Sequence, residues 1–287
     1  MTIPLLELGG SGPVLHLAVA NGFPPETYEP LFTGLTGSFR IVSIPPRALW
    51  PDREPPPDEA GSWTTLTDDF LAGWKQHGLA PVIALGHSFG AVASLMAAVK
   101  QPQAVRALVL LDPTIFPLAK MQEYARAQAA GRTPRLALVD TAIKRRSRFA
   151  SHQEAFEYWR GKPLFRDWSD DALTRYVNAM LHAYPAGGWV LTWPPEWEAW
   201  YYRSFYPHTW DLVPQLDQSI PTLIVGGETS DTLLPDAVEE LRKLLPRASF
   251  ATIPEAGHLF PQSHPAATRA VVEPWLASIM RQGVSVS

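Results

Sequence analysis

The chain has 287 residues, 46% hydrophobic and 18% charged, with a formal net charge of -4 and no cysteine. It is long and apolar enough for one large domain or a core with a sizeable insertion, and the missing cysteines exclude disulfides, thiolate nucleophiles and cysteine-ligated metals. Small net charge without a long run of one sign argues against a nucleic-acid or anionic-membrane binder, and with no signal-peptide pattern and no apolar run near the ~20 residues of a membrane helix, a soluble cytoplasmic protein is expected.

Val14 to Ala20 is an apolar strand stopped by the turn Asn21-Gly22-Phe23-Pro24-Pro25, and a short helix is expected from about Glu26 to Thr36. Arg40 to Ile44 is a second strand, closed by Pro45-Pro46. Beyond a proline-rich loop, Trp63, Leu66, Phe70 and Trp74 recur at helical spacing over Ser62 to His77, with Ser62 as N-cap. Pro81 to Leu85 reads as a strand, Ala91 to Lys100 as an Ala-rich helix, and Val105 to Leu111 as a further continuous apolar strand. Strands apolar on both faces, alternating with helices, imply a mostly parallel sheet covered by helices on each side.

The alternation breaks after Asp112-Pro113. From Thr114 to Trp210 the pattern is helical without a core strand, and from Trp159 tryptophans crowd in between prolines. The basic cluster Lys144-Arg145-Arg146 with Arg148 reads as a solvated helix face. Pro221 to Val225 and Ser249 to Ile253 then resume the strand pattern, with a helix from Asp236 to Leu245 between them. The expected organisation is a core of residues 1–113 and 211–287 carrying a helical, Trp-rich insertion of residues 114–210.

Chemistry concentrates at Gly86-His87-Ser88-Phe89-Gly90, between an apolar strand and a helix. A serine on a sharp strand-to-helix turn leaves no room for neighbouring side chains, which accounts for Gly86 and Gly90. Ser88 is therefore the candidate nucleophile, and it needs a histidine base oriented by a carboxylate. His258, in Ala256-Gly257-His258 after the last strand, is preferred over His264, which precedes Pro265 at the start of the terminal helix. The acid is sought after the strand ending at Val225, where Asp231 is favoured over Glu228. Asp112 stays the alternative, its other reading being an Asp-Pro turn residue. The N–H of Phe89, following the nucleophile, is one candidate oxyanion donor, and that of Phe23, after Gly22, is the second.

These motifs resemble the α/β-hydrolase fold, in particular its lidded esterase, lipase and epoxide-hydrolase-like members, over about residues 1–112 and 215–287. Two departures are Asn21, where many relatives carry histidine, and Pro45-Pro46-Arg47, where relatives often carry Asp-x-Arg-Gly. The resemblance implies a triad of Ser88, Asp231 and His258, an oxyanion hole of Phe23 and Phe89, and a cap formed by the insertion after the strand ending near Leu111. Serine at the elbow, where haloalkane dehalogenases and epoxide hydrolases use aspartate, points to acyl transfer. The expected substrate is a small apolar carboxylic ester, with Trp159, Trp189, Trp193 and Trp197 as candidate pocket residues. The same triad also serves thioester, lactone or C–C bond hydrolysis and hydroxynitrile cleavage, and the scaffold serves non-catalytic ligand binding. The eight histidines show no metal-ligand spacing and no dinucleotide fingerprint follows the early strand, so neither metal nor cofactor is expected.

Overall fold

The computed structural model describes residues 2–57, 61–131 and 137–283. The core begins with β1 (Leu6–Gly9), β2 (Val14–Ala18), α1 (Glu29–Phe32), β3 (Arg40–Ser43), α2 (Ser62–Gln76), β4 (Val82–His87), α3 (Phe89–Lys100) and β5 (Val105–Leu111). The insertion follows, with α4 (Leu118–Ala129), α5 (Ala137–Ile143), β6 (Arg148–Phe149), α6 (His152–Arg160), α7 (Asp170–Met180), β7 (Leu181–Ala183), β8 (Trp189–Leu191), α8 (Pro195–Arg203) and α9 (Thr209–Leu212). The core resumes with β9 (Thr222–Gly227), α10 (Pro235–Leu244), β10 (Ser249–Ile253), α11 (Phe260–Ser263) and α12 (Pro265–Gly283).

The main sheet runs β1-β3-β2-β4-β5-β9-β10, antiparallel only at β1. Every residue of β4 is buried, as are all but one each of β5 and β9, which is why these strands read as unbroken apolar runs. Because the pairs from β2 to β10 are parallel, the loops leaving β2, β4, β5, β9 and β10 share one edge, where open α/β sheets bind ligands.

Four features depart from the sequence expectation. β1 is a four-residue edge strand whose burial alternates between half-buried and exposed, too short and too exposed to mark itself as an apolar run. The helix expected over Glu26 to Thr36 is instead a 3₁₀ turn, the four-residue α1 and a second 3₁₀ turn. Pro30 lies within it, and a proline there has no N–H for the helical ladder. The insertion is not wholly helical either: β6, β8 and β7 form an antiparallel three-stranded sheet of two- and three-residue strands, below the length at which alternation is visible. α2 starts at Ser62 itself, so the N-cap position falls on Gly61.

Several contacts tie the insertion to the core. Trp63 Nε1 donates to the carbonyl of Tyr201 at 2.9 Å, and Arg175 Nε donates to Glu29 Oε2 at 3.1 Å. Arg47, at the departure Pro45-Pro46-Arg47, instead forks onto Asp69 of α2 at 2.8 and 2.9 Å.

His16, in β2, is fully buried between the edges of Phe70 and Trp74, where its Nε2 accepts the Ile44 N–H at 3.1 Å. Burial lowers its pKa to about 3, so the ring is neutral in the fold but protonates near pH 6.5 once unfolded. Between these values the unfolded chain binds the extra proton, so this contribution to stability is complete above about pH 6.5 and is lost as pH falls. The urea midpoint should change little from pH 7.5 to about pH 6.5 and then drop toward pH 5, by up to about 1.4 kcal/mol of stability per pH unit for this one group, and the slope should flatten in His16→Gln.

Candidate active site

Ser88 stands between β4 and α3 with φ 59° and ψ -122°, a strained left-handed geometry for a residue with a side chain. It is held there by its N–H, which donates to the Leu111 carbonyl at 3.0 Å. A Cβ on Gly86 would come within 2.5 Å of Ala91 Cα and the Gly90 carbonyl, and one on Gly90 within 2.5 Å of the Val19 carbonyl. Both glycines are thus required by backbone crossing backbone.

His258 Nε2 lies 3.0 Å from Ser88 Oγ, and His258 Nδ1 lies 2.6 Å from Asp112 Oδ2. The carboxylate that His258 meets is therefore Asp112, and the expectation that Asp231 stands there is corrected. Asp231 is exposed, and among the described residues its carboxylate meets only the neighbouring Thr232 hydroxyl, at 3.3 Å. The loop after β9 instead turns Ser230 inward, where its hydroxyl donates to Asp112 Oδ2 at 2.5 Å while the Gly227 N–H donates to Oδ1 at 3.0 Å. Gly227 has to be small, since a Cβ there would meet the Ala256 carbonyl at 2.4 Å. Asp112 has no solvent exposure and sits at φ 41°, so its backbone turns sharply out of β5, the strand paired directly with β4. The run Leu110-Leu111-Asp112-Pro113 carried this signal, because a carboxylate ending a wholly buried strand must find donors. His264 is not brought to Ser88; its Nδ1 pairs with the Ser263 hydroxyl at 2.8 Å.

Two contacts escaped the sequence reading. Thr114 Oγ1 lies 3.1 Å from Ser88 Oγ, two residues beyond the acid on the same loop. His87, the residue before the nucleophile, is fully buried in a chain of hydrogen bonds. The Tyr28 hydroxyl accepts the Ala20 N–H at 2.8 Å, so its proton goes to His87 Nδ1 at 2.7 Å. That leaves the ring proton on Nε2, which donates to the His258 carbonyl at 2.9 Å. Burial, helped by the nearby His258, holds the His87 pKa well below the ordinary histidine value. One neutral imidazole thus links the turn after β2, the elbow and the histidine loop.

Phe89 is the first residue of α3, so its N–H has no intrahelical acceptor. The Phe23 N–H closes the turn onto the Ala20 carbonyl at 3.2 Å, with Gly22 at φ 83° as a type II turn needs, so an oxyanion would share that donor with Ala20. The aromatic rings against these two residues are Trp168 and Tyr176 on Phe23, and Trp63 and Tyr201 on Phe89. Of the expected pocket residues, Trp159 packs within the insertion against Phe149, Phe165 and Tyr176, and Trp197 against Trp200 and Tyr201. Trp193 is fully buried beside Tyr201, and Trp189 is half-buried against His152. Among the described residues no group of three or more His, Asp or Glu could hold a metal, and no helix is long and apolar enough to cross a membrane.

This geometry separates the two candidate acids. Asp112→Asn should lower kcat by about 10³-fold or more, by analogy with other triads that lose their orienting carboxylate, while Asp231→Asn should stay within about twofold of wild type.

A family model described as the alpha/beta hydrolase fold matches residues 43–265. Among solved structures, that of E-2-(acetamidomethylene)succinate hydrolase superposes with a TM-score of 0.75 at 21% identity, covering 95% of this chain and 94% of that one. A carboxylesterase structure from the ammonia-oxidizing thaumarchaeon Nitrososphaera gargenis gives 0.72 at 14%, covering 97% and 95%. The thioesterase domain of the curacin biosynthetic pathway gives 0.68 at 16%, covering 92% and 93%. These likenesses concern the fold, and with the family match spanning most of the sequence and the strand order described above, the chain belongs to the α/β-hydrolase-fold family.

Proposed function

We propose that the protein is a serine hydrolase that cleaves carboxylic esters through an acyl-enzyme on Ser88, with His258 as base and Asp112 as its orienting acid. The observation that carries this reading is the continuous chain from Ser88 Oγ to His258 Nε2 at 3.0 Å and from His258 Nδ1 to Asp112 Oδ2 at 2.6 Å. With Nδ1–H donating to the carboxylate, Nε2 is left as an acceptor, and the Ser88 proton has a place to go.

In the first half-reaction Ser88 Oγ attacks the ester carbonyl carbon as its proton passes to His258 Nε2. The carbonyl π pair moves onto oxygen, where the Phe89 and Phe23 N–H groups stabilise it. Collapse breaks the bond to the alcohol oxygen, which takes the proton from the imidazolium and leaves. Water then gives a proton to His258 as it attacks the acyl carbon, and a second collapse releases the acid and returns the proton to Ser88.

In this reading the insertion of residues 114–210 is a cap, tied to the oxyanion residues by Trp168, Tyr176 and Tyr201. The aromatic rings around Phe23 and Phe89 favour a small apolar acyl or alcohol group, and no resident cofactor is invoked. The fold also houses the carboxylesterase and thioesterase named above, so ester and thioester are compared directly.

Short p-nitrophenyl esters should be turned over and a fluorophosphonate should label Ser88, with both lost in Ser88→Ala. A wild-type protein that does neither overturns the reading. If kcat/KM for a matched thioester exceeds that for the ester by about tenfold or more, the substrate class shifts to thioesters with the same mechanism.

A further inference from the structure

The cluster Lys144-Arg145-Arg146, expected to be a solvated face, turns one member inward. Arg146 is exposed and pairs with Glu154, whereas the Arg145 side chain is 17% exposed and reaches Glu198 of α8, itself 3% exposed. Arg145 Nη2 donates to Glu198 Oε1 at 2.8 Å, and Nη1 donates to the Tyr176 hydroxyl at 3.1 Å. The second carboxylate oxygen, Glu198 Oε2, is buried with no hydrogen-bond partner among the described residues.

A buried carboxylate with one bare oxygen is costly, and its location shows what it touches. The Asn21 side-chain amide donates to the Glu198 backbone carbonyl at 3.0 Å. A Cβ on Gly22 would stand 3.3 Å from Glu198 Oε1, so the carboxylate lies directly against the turn. The Phe23 ring packs 5.5 Å from that of Tyr176, whose hydroxyl Arg145 holds. Asn21 thus leans on the backbone of Glu198, Gly22 on its carboxylate, and Phe23 on the tyrosine that Arg145 holds. They sit where negative charge must develop on substrate oxygen, and an unbalanced anion beside them would oppose that charge in a low-dielectric site.

We propose that Arg145 is a positioning residue for the oxyanion turn: through Glu198 and Tyr176 it holds Asn21-Gly22-Phe23 in place, and its charge cancels the buried carboxylate that would resist an oxyanion there. This rests on the ester-hydrolase reading for its consequence in catalysis, but the holding of the turn can be measured without turnover.

The test compares Arg145→Met, Arg145→Lys and the double variant Arg145→Met/Glu198→Gln on p-nitrophenyl butyrate, with near-UV circular dichroism confirming the fold and Arg145→Gln replacing Arg145→Met if the latter does not fold. Arg145→Met should lose about tenfold to a hundredfold in kcat with KM changed by less than about threefold. Arg145→Lys keeps the cation and the double variant removes both charges, so each should regain kcat to within about fivefold of wild type. Removing the opposite charge would also relieve a loss of fold stability, so kcat is measured well below each variant's thermal midpoint, where all are fully folded, and the exchange measurement separates the two roles. In parallel, amide exchange over residues 20–24, followed by mass spectrometry, should accelerate by about tenfold or more in Arg145→Met while residues 82–87 keep theirs. Absence of both rescues, a wild-type kcat in Arg145→Met, or unchanged exchange at the turn overturns the proposal. If the wild-type protein neither turns over ester nor takes the fluorophosphonate, it is the ester reading that has failed, and the exchange measurement alone decides whether Arg145 holds the turn.

Discussion

The carboxylate of Asp112 is a buried anion, and the geometry of the site follows from how it is satisfied. A charge with no solvent contact must collect donors or be neutralised, and Asp112 collects three: the Gly227 N–H, the Ser230 hydroxyl and the His258 imidazole. Those donors come from the last residue of β9 and from the loops after β9 and β10, so one side chain at the end of β5 draws the neighbouring strand ends together. The Ser230 hydroxyl in turn accepts the N–H groups of Thr232 and Leu233 at 3.0 and 3.3 Å, which stiffens the loop that holds the acid. The orientation of the imidazole toward Ser88 is a consequence of this convergence, because its Nδ1 is already committed.

The opposite side of the elbow is secured by neutral groups. Tyr28, His87 and the His258 carbonyl form a buried relay without a formal charge, and its first bond reaches Ala20 at the start of the turn after β2. A protonated His87 would have two donors facing the Tyr28 hydroxyl and the His258 carbonyl, so its depressed pKa preserves the pattern. Backbone contact does the rest: Gly86 and Gly90 let β4, α3 and the end of β2 approach more closely than any Cβ allows. Charge on one side and close backbone packing on the other leave the serine little conformational choice.

The insertion carries both apolar and charged cargo to this edge. Trp168, Tyr176 and Tyr201 bring rings to Phe23 and Phe89, while Arg145 and Glu198 bring a compensated ion pair to the turn after β2. Most of the tryptophans that made the segment conspicuous serve its own packing, as Trp159 does among Phe149, Phe165 and Tyr176. A segment of short elements with a three-stranded sheet of two- and three-residue strands needs such rings, because its backbone pairing is slight and side-chain burial supplies most of its cohesion.

The sequence alone determined what depends on local spacing. β4, β5 and β9 were legible as apolar runs because both faces are buried, and the Gly-x-Ser-x-Gly pattern located the elbow because only glycine fits beside it. His258 was legible from its place in a glycine-bearing loop after the last strand. The acid was not, since Asp112 and Asp231 each follow a strand, and only the pairing of β5 next to β4, with the left-handed turn at Asp112, aims one carboxylate at the histidine. The inward turn of Arg145 among outward-facing basic neighbours was equally invisible, as were the contacts of Thr114 and Tyr28. Each of these joins residues distant in the chain, and the direction in which a side chain leaves a loop is set by what packs against it rather than by the residues beside it.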